Sequence, residues 1–179
     1  MSSDSADCLA CNPTSDDAES WGSCRGTHVL VVDDDPDMRA LLASRLERAG
    51  CFALEAASGI EAQAILASRG TGEGVDLLLI DLRMPGSSGI QVLRALRAAR
   101  QLPPAILMTA FAEPEVHAEA LALGIHILDK PFSFDTLRRL ATALILSSRV
   151  ERKRDGGCLV HHARDDPGHP LHLRTPVNR

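Results

Sequence analysis

The sequence predicts an α/β domain built on a parallel sheet with crossover helices. Short aliphatic runs recur through its middle: Val29-Leu30-Val31-Val32, Leu77-Leu78-Leu79-Ile80, Ala105-Ile106-Leu107-Met108, and the stretch from Ile125 to Leu128 interrupted by His126. Segments with helical periodicity alternate with these runs, as expected of parallel strands joined by crossovers. Each run also ends on a polar signal: Asp33-Asp34-Asp35, Asp81, Thr109, and Asp129-Lys130-Pro131-Phe132. If the runs are buried parallel strands, all four signals emerge at one edge of one sheet. That edge then carries a carboxylate cluster, a hydroxyl and an ammonium, the groups needed to hold a divalent metal and a phosphoryl group.

The elements follow in order. Pro36, with no amide hydrogen to lose, suits the first position of the first helix. Met38, Leu41, Leu42, Arg45, Leu46 and Ala49 share a helical face, and Gly50 stops the helix. Residues 51–56 give a second strand. Ser58 caps a helix running through Ala67, with Ile60, Ala64 and Ile65 as its inward face. Residues 70–74 make a turn, and residues 75–80 form a third strand apolar enough to be covered on both sides. Met84-Pro85-Gly86-Ser87-Ser88-Gly89 has strong turn chemistry. The helix after it turns Ile90, Leu93 and Leu96 inward. Pro103-Pro104 introduces the fourth strand. Pro114 starts a helix that ends at Leu123, with Gly124 as its stop. Residues 125–128 are the fifth strand. Ser133 or Asp135 starts the last helix, with Phe134, Leu137, Leu140, Leu144 and Ile145 along one side.

At 179 residues the chain accommodates one domain with tails. The expected division is a disordered leader over 1–26, the domain over 27–149, and a disordered tail over 150–179. Aromatic residues are only 3% of the chain, so aliphatic side chains must build the core. The net charge is -5, with much of the excess acid ahead of the first strand, and nothing suggests a large basic surface for direct nucleic-acid binding. No apolar run approaches the roughly 20 residues that cross a bilayer, and the polar, acidic N-terminus is unlike a secretory signal. A cytoplasmic protein without a membrane role is the expectation.

Other features are discounted. The five cysteines are odd in number and irregularly spaced, which argues against a disulfide framework. Cys8-x-x-Cys11 lacks a second pair at useful spacing. Cys158, His161, His162, His169 and His172 lie in a tail with no periodic apolar pattern to fold around a metal. The basic run over 149–154 reads as a solvated helix end. No helix-turn-helix, repeat or zinc-finger spacing offers an output domain.

Taken together, Val31-Val32-Asp33-Asp34-Asp35-Pro36, Leu79-Ile80-Asp81-Leu82-Arg83-Met84-Pro85-Gly86, Met108-Thr109-Ala110 and Asp129-Lys130-Pro131-Phe132 resemble the receiver domain of two-component response regulators. The resemblance implies a flavodoxin-like, doubly wound, five-stranded sheet in the order 2-1-3-4-5. Its first and third strands then meet at the switch point, where ligands bind in such sheets. It implies Mg²⁺ as cofactor, with Asp34 and Asp81 as ligands, Asp33 close by, and the backbone carbonyl of Arg83 as a further oxygen. Asp81 is the implied phosphoacceptor, and Lys130 and Thr109 the implied partners of the phosphoryl oxygens. Mg²⁺ and Lys130 would offset the repulsion between a carboxylate and an anionic phosphoryl group.

The implied function is that of a phosphoacceptor response regulator in a two-component system or phosphorelay. Its donor would be a sensor histidine kinase or a histidine phosphotransfer protein, and its output contact with a downstream protein target. Its only catalysis would be its own phosphorylation and dephosphorylation. The contact surface would be the fourth helix, fifth strand and fifth helix, including Leu121, Ile127 and the exposed side of residues 133–149. The alternatives are a Mg²⁺-dependent phosphatase or phosphotransferase with an Asp nucleophile, and a transcriptional regulator lacking its output domain. One departure stands out: Ile127 occupies the place where receivers commonly carry a switching aromatic, with His126 beside it. Arg83 and Phe111 are expected to flank the path of attacking water and to slow loss of the phosphoryl group.

Overall fold

The computed structural model describes residues 24–69, 74–110 and 113–154. Five strands, β1 (His28–Val32), β2 (Phe52–Ala56), β3 (Leu77–Asp81), β4 (Ala105–Thr109) and β5 (His126–Asp129), alternate with five helices. The helices are α1 (Pro36–Arg48), α2 (Gly59–Ser68), α3 (Gly89–Ala98), α4 (Pro114–Ala122) and α5 (Phe134–Arg154). The strands are parallel in the order β2-β1-β3-β4-β5, as expected.

The two faces of the sheet divide the core. Alternate strand residues point to opposite sides. Leu30, Val32, Leu78, Ile80 and Leu107 pack with Ala62, Leu93 and Ala120 under α2, α3 and α4. Val29, Val31, Leu79, Ile106 and Met108 pack with Leu42, Leu46, Leu137 and Ile145 under α1 and α5. Every residue of β3 is buried, which explains its unbroken apolar character. Each fully buried Leu or Ile contributes roughly 1.5–3 kcal/mol relative to exposure.

Local signals fix the element ends. Asp35 caps α1, accepting from the amides of Asp37 and Met38, with Pro36 in the first turn. Ser58 caps α2 through the Glu61 amide. Ser88 and Gln91 form a reciprocal capping box on α3. Ser133 Oγ accepts from the Thr136 amide at 3.0 Å and so starts α5. Gly50 and Gly124 end their helices at φ of 84° and 68°, a region that favours glycine.

The structure corrects several boundaries and faces. Ile60, expected inward, is 81% exposed, and Ala64 is exposed as well. The buried residues of α2 are Gly59 and Ala62, with Ile65 and Leu66 partly buried. A side chain at position 59 would run into Val92 of α3, so glycine lets α2 settle directly on α3. That contact turns a different face of the helix inward from the one that periodicity implies. Leu41 is mostly exposed, because Leu42 and Leu46 take the centre of the α1 stripe. β3 begins at Leu77, two residues after the expected start, although Val75 is buried.

The expected leader over 1–26 ends too late. Cys24 is 0% exposed, and the Gly26 amide donates to the Gly50 carbonyl at 2.8 Å. The expected tail from residue 150 begins too early, because α5 continues to Arg154. Cys8, Cys11, Cys158 and the tail histidines lie outside the described residues.

Candidate phosphoryl-transfer site

Four strand ends build one edge. Asp33 follows β1, Asp81 closes β3, Thr109 closes β4, and Lys130 follows β5. Because β1 pairs with both β2 and β3, the chain crosses over beside β1, and the crevice there lies at the carboxyl ends of the strands. Register sets Asp81 beside Met108, and Thr109 beside Asp129.

Asp33 is 2% exposed and Asp81 is 8% exposed. Lys130 Nζ donates to Asp81 Oδ1 at 2.6 Å and to Asp33 Oδ2 at 3.0 Å. The other oxygens are held by main-chain amides: Arg83 N donates to Asp81 Oδ2 at 2.6 Å, and Asp35 N to Asp33 Oδ1 at 3.0 Å. The Lys130 amide donates to the Thr109 carbonyl at 2.6 Å, which fixes the root of the lysine against β4. Arg39 Nη1 donates to the Asp33 carbonyl at 2.7 Å, tying the β1 end to α1. Both carboxylates are therefore oriented through both of their oxygens.

Burial by itself would lower the pKa of Lys130. Its hydrogen bonds to Asp81 and Asp33, and the charges behind them, outweigh that effect and hold the ammonium above the ordinary lysine value. Lys130 therefore stays cationic across the physiological range and offsets two buried carboxylates.

The structure brings Asp33, Asp81 and Lys130 into direct contact and buries Thr109 next to them. Asp34 occupies the same edge but is exposed, and among the described residues no side-chain hydrogen bond ties it to the cluster. Arg83 contributes its amide to Asp81, while its side chain is exposed beside Pro85 and Glu113. Ala110 is exposed at the rim. Phe111 lies outside the described residues. His126 is exposed and Ile127 half-buried, so the two fall on different sides of β5 as alternation requires.

Gly89 is a contributor that sequence reasoning took only for a turn residue. A side-chain carbon there would collide with the carbonyl oxygen of Asp81. Its amide donates to the Leu82 carbonyl at 2.9 Å. The first turn of α3 thus rests directly on the backbone of Asp81. The eight-residue interval between Asp81 and Gly89 was visible in the sequence, but its meaning was not.

Among the described residues, no three His, Cys, Asp or Glu side chains converge closely enough to hold a metal by themselves. The donor set still fits Mg²⁺, which prefers oxygen, keeps several waters and needs only one or two carboxylates from the protein.

A family model described as the response regulator receiver domain matches residues 29–142. Among curated proteins, the chain is similar to sporulation initiation phosphotransferase F of Bacillus subtilis (strain 168), 33% identical over 111 residues, covering 62% of this chain and 86% of that protein. It is also similar to the transcriptional regulatory protein ResD of the same organism, 39% identical over 108 residues, covering 60% of this chain but only 43% of ResD. The chain thus spans most of the first relative and less than half of the second. Among solved structures, it resembles the chemotaxis protein CheY4 of Vibrio cholerae, with 30% identity, a TM-score of 0.58, and coverage of 66% and 98% of the two chains. It resembles equally the response regulator TrrA of Thermotoga maritima in complex with Mg²⁺ and BeF, with 31% identity, a TM-score of 0.58, and coverage of 66% and 98%.

Proposed function

We infer that Asp81 is the phosphoacceptor of this chain, which belongs to the family of response regulator receiver domains. The observation that carries this reading is the clamp on Asp81: Lys130 on one carboxylate oxygen and the Arg83 amide on the other, at the end of the central strand. No other carboxylate among the described residues combines that position with a main-chain donor and an ammonium.

In this reading a carboxylate oxygen of Asp81 attacks phosphorus, and the bond from phosphorus to the donor breaks. The donor is a phosphohistidine on a sensor histidine kinase or a histidine phosphotransfer protein. Lys130 keeps its proton and shifts from carboxylate partner to phosphoryl partner as a compact point charge. Thr109, at the neighbouring strand end, offers its hydroxyl to another phosphoryl oxygen. Asp33 stays tied to Lys130 and orients it. The Arg83 amide and the Gly89 contact hold the backbone of Asp81 in place during attack.

The metal assigned to the site is Mg²⁺, with Asp33, Asp34, Asp81 and the Arg83 carbonyl as its holding groups. When bound, it would neutralise charge developing on the transferring phosphoryl group. The TrrA structure was obtained with Mg²⁺ and BeF, which supports this assignment.

The chain's own chemistry is then transfer onto itself and hydrolysis from itself, with output by contact with a downstream protein. The likeness to a phosphotransferase named for sporulation initiation favours a carrier or relay role. No helix among the described residues is long and apolar enough to cross a membrane. The reading places the protein in the cytoplasm, where its donors would present their phosphohistidines. Incubation with phosphorylated histidine kinases, comparing the natural chain with Asp81→Asn, tests it. Label should appear on the natural chain, be cleaved by hydroxylamine, and be absent from the variant.

A further inference from the structure

Asp33 and Asp81 are each held through both carboxylate oxygens, whereas the exposed Asp34 takes its direction from its backbone. The peptide units on either side of Asp34 are both pinned. After it, the Asp35 amide donates to Asp33 Oδ1 at 3.0 Å. Before it, the Asp33 carbonyl accepts from Arg39 Nη1 at 2.7 Å. The Asp33 amide in turn donates to the Ala56 carbonyl at 3.3 Å, which prolongs the β1–β2 pairing. Asp34 thus rides on a short turn clamped at both ends, and one clamp is a side chain from outside that turn.

The fold puts Arg39 there. It is the fourth residue of α1, and its amide donates to the carbonyl of the capping Asp35 at 3.0 Å. Helical side chains lean toward the N-terminus, so the guanidinium folds back over the first turn onto the end of β1. It is only 17% exposed, and its Nε lies 3.4 Å from Glu55 Oε2. Glu55 sits on the edge strand β2, in register with Val31 of β1. A planar group with several fixed donors can serve a carbonyl and a carboxylate together, which a lysine ammonium on one stem does less well. Glu55 also settles the electrostatic balance. A lone cation here would oppose a bound metal, but the carboxylate beside it offsets much of that charge. The hold on the Asp33 carbonyl is what remains.

We propose that Arg39 is a positioning residue for the Mg²⁺ site and acts through Asp34. It fixes the plane of the Asp33–Asp34 peptide, and so keeps the Asp34 carboxylate at the strand edge beside Asp33 and Asp81. This rests on the reading of Asp34 as a group that holds Mg²⁺, and not on which residue accepts the phosphoryl group. Groups that orient metal ligands set affinity by about 10–100-fold. The low end applies here, because Mg²⁺ keeps several waters and takes few ligands from the protein.

Mg²⁺ titration of the unphosphorylated full chain, followed by amide chemical shifts, tests it. Arg39→Ala should raise the dissociation constant about tenfold. Arg39→Lys keeps the charge and a donor, and should recover part of the loss. In an Asp34→Ala background, Arg39→Ala should add less than about twofold, because the two residues act as one unit. Phosphorylation by a small acyl phosphate should be slow in Arg39→Ala at low Mg²⁺ and approach the natural rate at saturating Mg²⁺. A purely structural role would lower the urea midpoint in chelator without moving the metal affinity of the folded chain. Arg39→Gln, which keeps the apolar stem and drops the fork, gives the same comparison should Arg39→Ala fail to fold. Natural Mg²⁺ affinity in the folded variant overturns the proposal, as does an equal tenfold loss in both backgrounds. If Asp34→Ala weakens Mg²⁺ binding and Arg39→Ala does not, only the role of Arg39 is lost. If Asp34→Ala leaves the affinity unchanged, the assignment of Asp34 to the metal falls and the role of Arg39 falls with it.

Discussion

Lys130 Nζ lies 2.6 Å from Asp81 Oδ1, so the residue that would receive a phosphoryl group is already neutralised by the residue that would hold the product. The pair is partly enclosed, and Asp33 completes it from the other side at 3.0 Å. A cluster of carboxylates at one sheet edge is electrostatically costly, and this ammonium offsets that cost in the metal-free protein.

The first prediction concerns pH. Lys130 binds its proton more tightly in the folded chain than in the unfolded one, because its pKa is raised from 10.5. Its stabilisation is therefore complete below the ordinary lysine value and is lost as pH rises through the raised folded value. With a chelator present, urea midpoints of the natural chain should fall as pH rises from the ordinary lysine value, about 10.5, through the raised folded value. Lys130→Met should lose about 3–5 kcal/mol near neutral pH, since it leaves two buried carboxylates without their cation, and show a weaker decline over that window. Parallel curves for the two proteins would separate Lys130 from the alkaline limb.

Gly89→Ala should be costly for two reasons at once. The new methyl group meets the Asp81 carbonyl oxygen and Leu107, and overpacking of this kind costs about 1–3 kcal/mol. The shift of the Asp81 backbone should also slow phosphorylation of the fraction that remains folded. Gly59→Ala is the control: its methyl group meets Val92, so it should lower stability while leaving the phosphorylation rate of folded protein unchanged. Equal rates for both variants would remove the positioning role of Gly89.

Asp34→Ala should weaken Mg²⁺ binding and phosphorylation together. Without metal it should leave stability unchanged or raise it slightly, because it removes one of several like charges at the strand ends. Titration of Mg²⁺ with and without the substitution checks this, and an unchanged affinity would take Asp34 out of the metal set.

Removal of residues 1–23 should leave a cooperatively folded domain, whereas removal of residues 1–26 should lower its stability. The difference lies in Cys24, which is fully buried against Cys51 and α5. Cys24→Asp in the full chain should cost about 2 kcal/mol, since a carboxylate would replace a thiol at a position that is 0% exposed. Thermal melts of the two truncations and the variant measure it.

The three central strands were legible because β1, β3 and β4 are apolar on both faces and lead into Asp33, Asp81 and Thr109. Asp35, Ser58 and Pro36 fell where local chemistry required. What escaped the sequence were contacts decided by the absence of a side chain. Gly59 turns α2 so that Ile60 faces solvent, and hydrophobic periodicity cannot register a glycine that wins a packing position. Gly89 read as a loop glycine for the same reason. Cys24 sits in a polar stretch, so its burial depends on a partner, Thr142, that is 118 residues away. Asp33, Asp81 and Lys130 were expected at one edge, but the direct Lys130–Asp33 bond was not, because reach across the crevice is a matter of side-chain geometry.

The central claim is that Asp81 accepts the phosphoryl group. Intact-mass measurement after incubation with a small acyl phosphate and Mg²⁺ tests it most directly. The natural chain should gain the mass of one phosphoryl group, reversed by hydroxylamine, and Asp81→Asn should gain none while melting as a folded protein. A folded Asp81→Asn protein that gains the same mass at the same rate would contradict the account.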